Sequence, residues 1–403
     1  MRSCILRVWA RRGRDGRGDR RLGLAESSSG VRVVHVYKDI YPVKGGIEDY
    51  ILALCTRLRQ THGVDARILV TSQGRRTERA SIEGIPTVKA ARVAAPASTP
   101  LSPVLPSLLR AMEPDVVHLH MPYPMGEQAY LLATPRAPMV ITYHSDVVRQ
   151  RALMRVYGPA MELVLRRARV IFATSPQYKA SSPWLRRHRA RCRIVPQGID
   201  QRPYTHPTPH TLELAARLRA RYGPNLLHSH GVFRYYKGLR YLVDALPLLP
   251  EACLLLTGTG PEEAALRAQV DALSLRDRAH FAGFVSDEDL AAYHRAADLY
   301  VLPAIARSEA FGLSLVEAEA SAVPCLSTEI GTGTSYVNLD GVSGLVVPPM
   351  DPPALAAAAR RLLGDDALRR RLGAQAQRRA AELFDIDANA AAVAAAYHEV
   401  DSR

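Results

Sequence analysis

The chain has 403 residues, too many for one ordinary hydrophobic core, so two domains are expected. Hydrophobic residues make up 47% of it, but no stretch approaches the roughly 18 to 20 apolar residues of a membrane span. The net charge of +14 is concentrated in residues 31–200, which hold 25 Lys and Arg against 12 Asp and Glu. Two interpretations stay open: an anionic partner, or an arginine-rich composition without a selected partner.

Residues 1–30 are rich in Arg and Gly and have no clean apolar period. They lack the unbroken apolar core of a secretory signal, so a disordered basic extension or a start codon placed too early is expected. An arginine-rich arm that binds RNA is the alternative. The five cysteines are scattered without paired spacing, which argues against a disulfide framework or a cysteine metal site and fits a reducing cytoplasm.

Residues 31–200 alternate short apolar runs with helical segments, and this pattern predicts a parallel sheet covered by helices on both faces. The predicted strands are VRVVHVY, ARILVTS, GIPTVKA, DVVHLHM, PMVITYH, RVIFATS and CRIVPQG, and the predicted helices are Ile47–Gln60, Leu105–Ala111, Met125–Ala133 and Val156–Arg167.

Residues 201–224 hold four prolines and are predicted to be a linker with an arm. The alternation then restarts over residues 225–380. The predicted strands there are NLLHSHGVF, CLLLTGTG, AHFAGFV, LYVLPA, VPCLST and GLVVPP, and the helices are Leu239–Leu248, Glu262–Ala272, Asp287–Arg295, Leu313–Ser321 and Pro353–Leu363.

Residues 381–403 contain an alanine-rich helix, Asn389–Val400, which is predicted to pack back on the first domain. The expected fold class is therefore α/β, with two doubly wound, Rossmann-like domains that face each other across a cleft. Open parallel sheets bind ligands at the carboxyl ends of their strands, so the cleft is the expected site.

The segment SEAFGLSLVEAEA (Ser308–Ala320) lies at one such strand end. Gly312 is predicted to open a helix whose first backbone amides attract an anion, most often phosphate. Glu309 lies beside this anion pocket, and Glu317 stands about one turn into the helix, where it could accept two hydrogen bonds from a ribose diol. Glutamates near a helix start are common, so this spacing is weak evidence by itself.

Other segments of the sequence strengthen the evidence from this spacing. EAFGLSLVEA resembles the E-x7-E signature of retaining glycosyltransferases of family four, which have the GT-B fold, and the resemblance extends from about Val31 to the carboxyl end. The further segments that carry it are KGGIEDY, EPDVVHLH, ITYHSD, VPQGID, FRYYKGLRYLVDAL, LLLTGTGPEEAAL, FAGFVSDEDLAAYHRAADLYVLPA and DGVSGLVVPP.

In the second domain the resemblance implies a nucleotide-sugar donor whose diphosphate is gripped by Lys237. It implies that Glu309 lies near the donor sugar and its phosphate, and Glu317 on the ribose. Backbone amides of Phe311, Gly312 and Leu313 are expected to meet the phosphate.

In the first domain, Gly45 and Gly46 match a loop that approaches the donor phosphates and the acceptor, although a glycine pair is also an ordinary turn signal. His144 matches a histidine that points into the cleft near the donor sugar. His118 and His120 are interpreted as structural.

Three departures from the family pattern stand out. Val232 replaces the usual arginine after Gly231, and Arg234 is the expected substitute. The run LLHSHG would bury His228 and Ser229, which is costly without partners, so a frayed strand is one expectation. Glu319 stands where the family favours an apolar residue, and a weakly active enzyme is conceivable.

The resemblance requires no metal ion. HSH lacks a third ligand for a metal site, and FDID (Phe384–Asp387) is interpreted as a helix start. GTGTSYVN and GVFRYYKGL are most similar to mannosyltransferases of bacterial surface polysaccharides, so GDP-mannose is the first expected donor and a UDP-sugar the second.

A lipid-linked or saccharide acceptor is expected to meet the basic first domain. There arginines beside Trp184, Leu153 and Met154 could rest on anionic lipid at the inner face of the membrane. The alternatives are a GT-B epimerase acting on a UDP-sugar and a catalytically impaired nucleotide-sugar-binding protein. Nucleic acid is not an expected partner, because no recognisable module or aromatic platform is present.

Overall fold

A computed structural model describes residues 30–43, 45–95, 99–133, 136–147 and 154–402. Residues 1–29, nearly all of the predicted basic extension, lie outside these ranges. The strands are β1 (Arg32–Val36), β2 (Asp65–Thr71), β3 (Glu78–Ile82), β4 (Ile85–Ala90), β5 (Val116–Met121), β6 (Met139–Tyr143), β7 (Val170–Ala173), β8 (Cys192–Ile194), β9 (Leu226–His230), β10 (Cys253–Thr257), β11 (Ala279–Gly283), β12 (Leu299–Leu302), β13 (Cys325–Thr328) and β14 (Gly344–Val347).

The helices occupy most of the chain between these strands. They are α1 (Gly46–Thr61), α2 (Leu105–Ala111), α3 (Pro124–Ala133), α4 (Met154–Arg167), α5 (Pro176–Ser181), α6 (Pro183–Arg187), α7 (Arg202–Thr205), α8 (Pro209–Tyr222), α9 (Leu239–Ala245), α10 (Glu263–Ala272), α11 (Asp287–Ala296), α12 (Leu313–Ala320), α13 (Thr334–Val337), α14 (Pro352–Leu363), α15 (Asp366–Leu383) and α16 (Ile386–Asp401).

The first sheet has the order β3-β4-β2-β1-β5-β6-β7-β8. Its pairs are parallel except for the β3–β4 hairpin at one edge. Every residue of β2, β5, β6 and β7 is buried, because helices cover both faces of a parallel sheet. The strand order reverses between β1 and β5, which are parallel, and this is the switch point of the first domain.

The second sheet has the order β11-β10-β9-β12-β13-β14, with all pairs parallel. Numbered within the domain, this is the 3-2-1-4-5-6 order of dinucleotide-binding folds, with its switch point between β9 and β12. The frayed strand expected at LLHSHG is wrong, because β9 pairs with β10 at five positions and also with β12.

The segment predicted as a linker is largely helical. In α8, Ala215 and Leu218 are buried against Leu226 and Leu255 of the second sheet. Pro209 occupies the first turn of this helix, where proline is tolerated because its missing N–H would be unpaired anyway. Two of the four prolines that suggested a linker, Pro203 and Pro209, thus mark helix starts, and α8 packs with the second domain.

The chain returns to the first domain after α15. Ile199 pairs with Asp385, and a Cβ on Gly198 would lie 2.5 Å from the Asp385 carbonyl oxygen, so only glycine fits this crossing. Beyond it, α16 packs on α1, and Val393 and Tyr397 share a core with Val33.

Candidate active site

A largely buried charge pair lies at the second-domain switch point. Lys237 follows β9 and Glu309 follows β12, and Lys237 Nζ lies 3.4 Å from Glu309 Oε2, with the side chains 11% and 14% exposed. Burial alone would lower the pKa of Lys237, but Glu309, Tyr300 and Tyr236 together outweigh this effect and the pKa is raised. The ammonium therefore stays charged.

A glycine makes room for this ammonium. Gly231 has a φ of +121°, and a Cβ there would lie 3.1 Å from Lys237 Nζ. A side chain at position 231 would be strained and would crowd the lysine. The turn after β9 is thus built around the positive charge.

The helix start predicted at Gly312 is present. Gly312 is the N-cap of α12 with a φ of +89°, and no described side chain caps it. The first amides of α12 are therefore available to an anion. Phe311 packs on Phe384, at 5.7 Å between ring centroids, so it can offer the cleft only its backbone.

Glu317 lies further along α12. Its side chain is 20% exposed, and its Oε2 lies 3.7 Å from Nε2 of His294 on α11. Among the described residues, this oxygen has no hydrogen-bond partner. Burial raises the pKa of Glu317.

The loop after β1 meets α12 across the cleft. A Cβ on Gly46 would lie 3.2 Å from Leu313 Cδ1, and one on Gly45 would lie 2.6 Å from Glu48 Oε2. Glu48, which the sequence analysis missed, is buried, and this raises its pKa against the opposing charges of Lys38 and Arg234. Arg234 is exposed and within electrostatic reach of this first-domain carboxylate.

His144 differs from its predicted orientation. Its side chain is 3% exposed, Nδ1 lies 3.0 Å from Nε2 of Gln197, and Nε2 lies 2.9 Å from Nδ1 of His120. Burial lowers the pKa of His144 to about 3, so the ring is neutral. Both nitrogens are engaged inside the domain, and the ring does not present a free nitrogen to the cleft.

These contacts extend into a hydrogen-bonded chain. His120 Nε2 lies 3.0 Å from His35 Nδ1, and His35 Nε2 lies 3.3 Å from the Tyr397 hydroxyl. That hydroxyl lies 2.5 Å from His118 Nδ1, and His118 Nε2 lies 2.7 Å from Thr142 Oγ1. We call these residues, with His144 and Gln197, the histidine chain.

One assignment of protons satisfies every link. If the Gln197 amide donates to His144 Nδ1, each histidine carries its proton on Nε2 and donates to the next member. Tyr397 accepts from His35 and donates to His118, so four neutral rings suffice. His35, His118 and His120 also bring ligand atoms within 4.8 Å of one another, an arrangement that these hydrogen bonds already explain.

An ion pair between the domains was also missed from the sequence. Arg307, in the loop after β12, donates to Asp146 Oδ2 of the first domain at 3.0 Å and to the Gly331 carbonyl at 2.6 Å. Asp146 also accepts from the Tyr143 and Ser182 hydroxyls. These contacts fix the loop that carries Glu309 against the first domain.

Comparison with solved structures identifies the class of fold. Sucrose-phosphate synthase from Thermosynechococcus elongatus superposes with a TM-score of 0.78 over 92% of this chain and 99% of that chain, at 23% identity. Two doubly wound domains with a cleft between their strand ends form the GT-B fold, so the predicted fold class is confirmed.

Sequence comparison identifies the family. Residues 44–203 match Glycosyltransferase Family 4, and residues 212–379 match Glycosyl transferases group 1. The D-rhamnosyltransferase WbpZ of Pseudomonas aeruginosa is 38% identical, over 88% of this chain and 92% of that protein. The O-antigen chain mannosyltransferase C of Escherichia coli is 36% identical, over 89% and 95%. The chain belongs to this glycosyltransferase family, as its motifs predicted.

Proposed function

We propose that this protein is a retaining glycosyltransferase that moves a hexose, first of all mannose from GDP-mannose, to a lipid-linked or saccharide acceptor of a surface polysaccharide. The observation that carries the proposal is the Lys237–Glu309 pair at the switch point, beside the open amides of α12. A lysine and helix amides together suit the diphosphate of a sugar nucleotide.

The cleft residues have distinct roles in the proposed reaction. Lys237, with Arg234, stabilises the charge that grows on the leaving nucleotide, and the amides of α12 hold its phosphate. The sugar's C1–O bond to the diphosphate breaks, and a new C1–O bond to the acceptor forms on the same face. The acceptor's hydroxyl proton passes to the leaving phosphate oxygen, so the scheme needs no enzymic nucleophile and no metal ion.

The names of two relatives support the choice of sugar. One is a mannosyltransferase of O-antigen chains and the other a D-rhamnosyltransferase. GDP-mannose therefore stays the first donor and a UDP-sugar the second.

The acceptor is proposed to arrive from an anionic membrane surface. Arg186 and Arg187 are exposed on α6, and Leu163 on α4 is 43% exposed. Trp184 is half-buried against α4 and carries the Arg187 guanidinium 5.3 Å from its ring. Leu153 lies outside the described residues. None of the described helices is long and apolar enough to cross a bilayer. Co-sedimentation with liposomes, stronger with anionic lipid at low salt, tests this association.

A donor screen tests the reaction. Wild type, Lys237→Met, Glu309→Gln and the control Glu263→Gln are incubated with GDP- and UDP-sugars, with and without lipid-linked acceptors, and released nucleotide is measured. Both cleft variants should lose about 100-fold or more of kcat, while cooperative melting shows that they remain folded. Glu263, which pairs with Arg267 on α10, should be dispensable.

The product's anomeric configuration, read by NMR, tests retention. Interconversion of a UDP-sugar without an acceptor would favour the epimerase. Binding without nucleotide release, in wild type as in both variants, would favour the impaired binding protein.

A further inference from the structure

The second-domain switch point concentrates buried polar atoms that lack partners. Among the described residues, four such atoms lie on three neighbouring side chains: Nδ1 of His228, both ring nitrogens of His294, and Oε2 of Glu317. Native proteins leave few buried polar groups unpaired, and each one calls for an explanation. We call His228, His230, His294 and Glu317 the second-domain cluster.

His294 is the least satisfied member. Its side chain is 0% exposed, and its ring packs 4.9 Å from His228 and 5.2 Å from Tyr300, measured between centroids. At 3.7 Å its Nε2 faces the Glu317 oxygen without bonding to it. A buried base and a partly buried acid therefore lie side by side, and each has a buried polar atom without a hydrogen-bond partner.

Burial disfavours the charged form of both groups in the free protein. Burial lowers the pKa of His294 to about 3 and raises that of Glu317. The other groups that face Glu317 are His230 and Lys237, which oppose this rise, and Asp287, which adds to it.

Two further groups complete the surroundings. Tyr204 of α7 packs on His294 at 6.0 Å between ring centroids, and its own pKa is raised by burial and by Glu317. His230 is held through Nδ1 at 3.0 Å from Thr257 Oγ1, and burial lowers its pKa to about 4.

Binding of a ribose would change this balance. A diol that donates two hydrogen bonds favours a carboxylate over a carboxylic acid, because only the charged form accepts with both oxygens. A buried carboxylate in turn needs a positive partner close by. Among the cluster's histidines, His294 has Nε2 unpaired and 3.7 Å from the acid.

We propose that His294 is a positioning residue for the donor's ribose: when the nucleotide binds, the proton of Glu317 moves to His294. The O–H bond of Glu317 breaks and an N–H bond forms at His294 Nε2, so no proton is exchanged with solvent. This inference rests on the proposed function, since it takes Glu317 as the ribose-binding residue.

Calorimetry of GDP-mannose binding without acceptor tests the proposal, because the two phosphate charges of this ligand do not titrate near neutral pH. Wild type and His294→Gln are titrated at pH 6 and pH 8, in two buffers of different ionisation enthalpy. Gln can donate to Glu317 but cannot take its proton, so the variant must release the proton to solvent.

The variant should therefore release more protons to solvent per bound ligand at pH 6 than wild type does, and its affinity should rise by up to about tenfold from pH 6 to pH 8, the effect of one pKa unit. Wild type should release almost no protons on binding, and its affinity should change less than about threefold between pH 6 and pH 8. The double variant His294→Gln with Glu317→Gln should lose the proton release, and the melting temperature checks folding.

Equal proton release by wild type and His294→Gln would overturn the proposal, and so would the predicted behaviour in His230→Gln instead. The proposed function fails differently: wild type would then bind neither GDP-mannose nor a UDP-sugar, or Glu317→Gln would bind the nucleotide as tightly as wild type.

Discussion

The two domains place histidines at the same point of their sheets but treat them differently. In the first domain, His35 and His118 lie side by side across the switch point between β1 and β5. In the second domain, His228 and Tyr300 do so across the switch point between β9 and β12. The first group forms a complete hydrogen-bonded chain, whereas the second leaves four buried polar atoms unpaired among the described residues.

This difference suggests separate roles for the two groups, one in stability and the other in ligand binding. A buried polar group that is fully paired contributes to a unique fold, while an unpaired one costs stability unless something else compensates. The histidine chain ties β1, β5 and α16 together, and we expect it to act on stability. The second-domain cluster lies beside the proposed ribose site, and we expect it to act on ligand binding.

The largest effect is expected from His120→Leu. This change leaves Nδ1 of His35 and Nε2 of His144 without partners, and each unpaired group costs about 1–3 kcal/mol. We expect the free energy of unfolding of the first domain to fall by roughly 2–5 kcal/mol. The measurement is the shift of the urea midpoint, followed by circular dichroism and by protease cleavage within the first domain.

The matched variant in the second domain is His228→Leu. It removes one contact to Thr257, which keeps its contact with His230, and it also removes an unpaired nitrogen. The change should stay within about 1 kcal/mol. Similar losses in both variants would mean that the contrast between the two regions has no energetic basis.

The sequence was a good guide to the fold where elements are strongly apolar. Most strands and the doubly wound class followed from apolar runs alternating with helices. The strand β3 was missed because Glu78–Ile82 is almost wholly exposed and has no apolar alternation. The helix α8 was missed because its first-turn proline resembles a loop signal, and only tertiary packing distinguishes the two.

For the site, the sequence indicated residues but not their directions. The local motifs placed Lys237 and Glu309 at strand ends, and the structure brings them to 3.4 Å. The direction of His144 depends on Gln197, 53 positions away, and the Asp146–Arg307 ion pair joins residues 161 positions apart. No local pattern encodes such pairings, because they follow from how the two sheets and α16 are assembled.

A smaller effect is expected from Tyr397→Phe, which tests the middle of the histidine chain. The missing hydroxyl would leave Nδ1 of His118 and Nε2 of His35 unpaired. The His35 contact is long, at 3.3 Å, so the cost should be about 1–3 kcal/mol.

Tyr300→Phe is the counterpart in the second domain. Its hydroxyl makes long contacts, 3.3 and 3.4 Å, with the His230 backbone and interacts with the Ser314 side chain, and its loss should cost under about 1 kcal/mol. Thermal melts of Tyr397→Phe and Tyr300→Phe at the same pH give the ratio of their losses of stability. A costlier Tyr300 variant would contradict the contrast between the domains.

A modest gain of stability, instead of a loss, is expected from Glu319→Met, which asks whether every unpaired group in the second domain serves a ligand. Glu319 is fully buried, both its oxygens lack a partner among the described residues, and its neighbours include Arg379 and Cys325.

Burial raises the pKa of Glu319 well above the ordinary 4.5. The folded state therefore binds a proton that the unfolded chain gives up above pH 4.5, so this proton uptake costs stability at neutral pH, and that part of the cost disappears as the pH falls below 4.5. Glu319→Met should raise the free energy of unfolding by about 1–2 kcal/mol at pH 7.5, with a smaller gain at pH 4 and with unchanged donor affinity. A loss of donor binding instead would place Glu319, like Glu317, among the groups whose unpaired atoms a ligand satisfies.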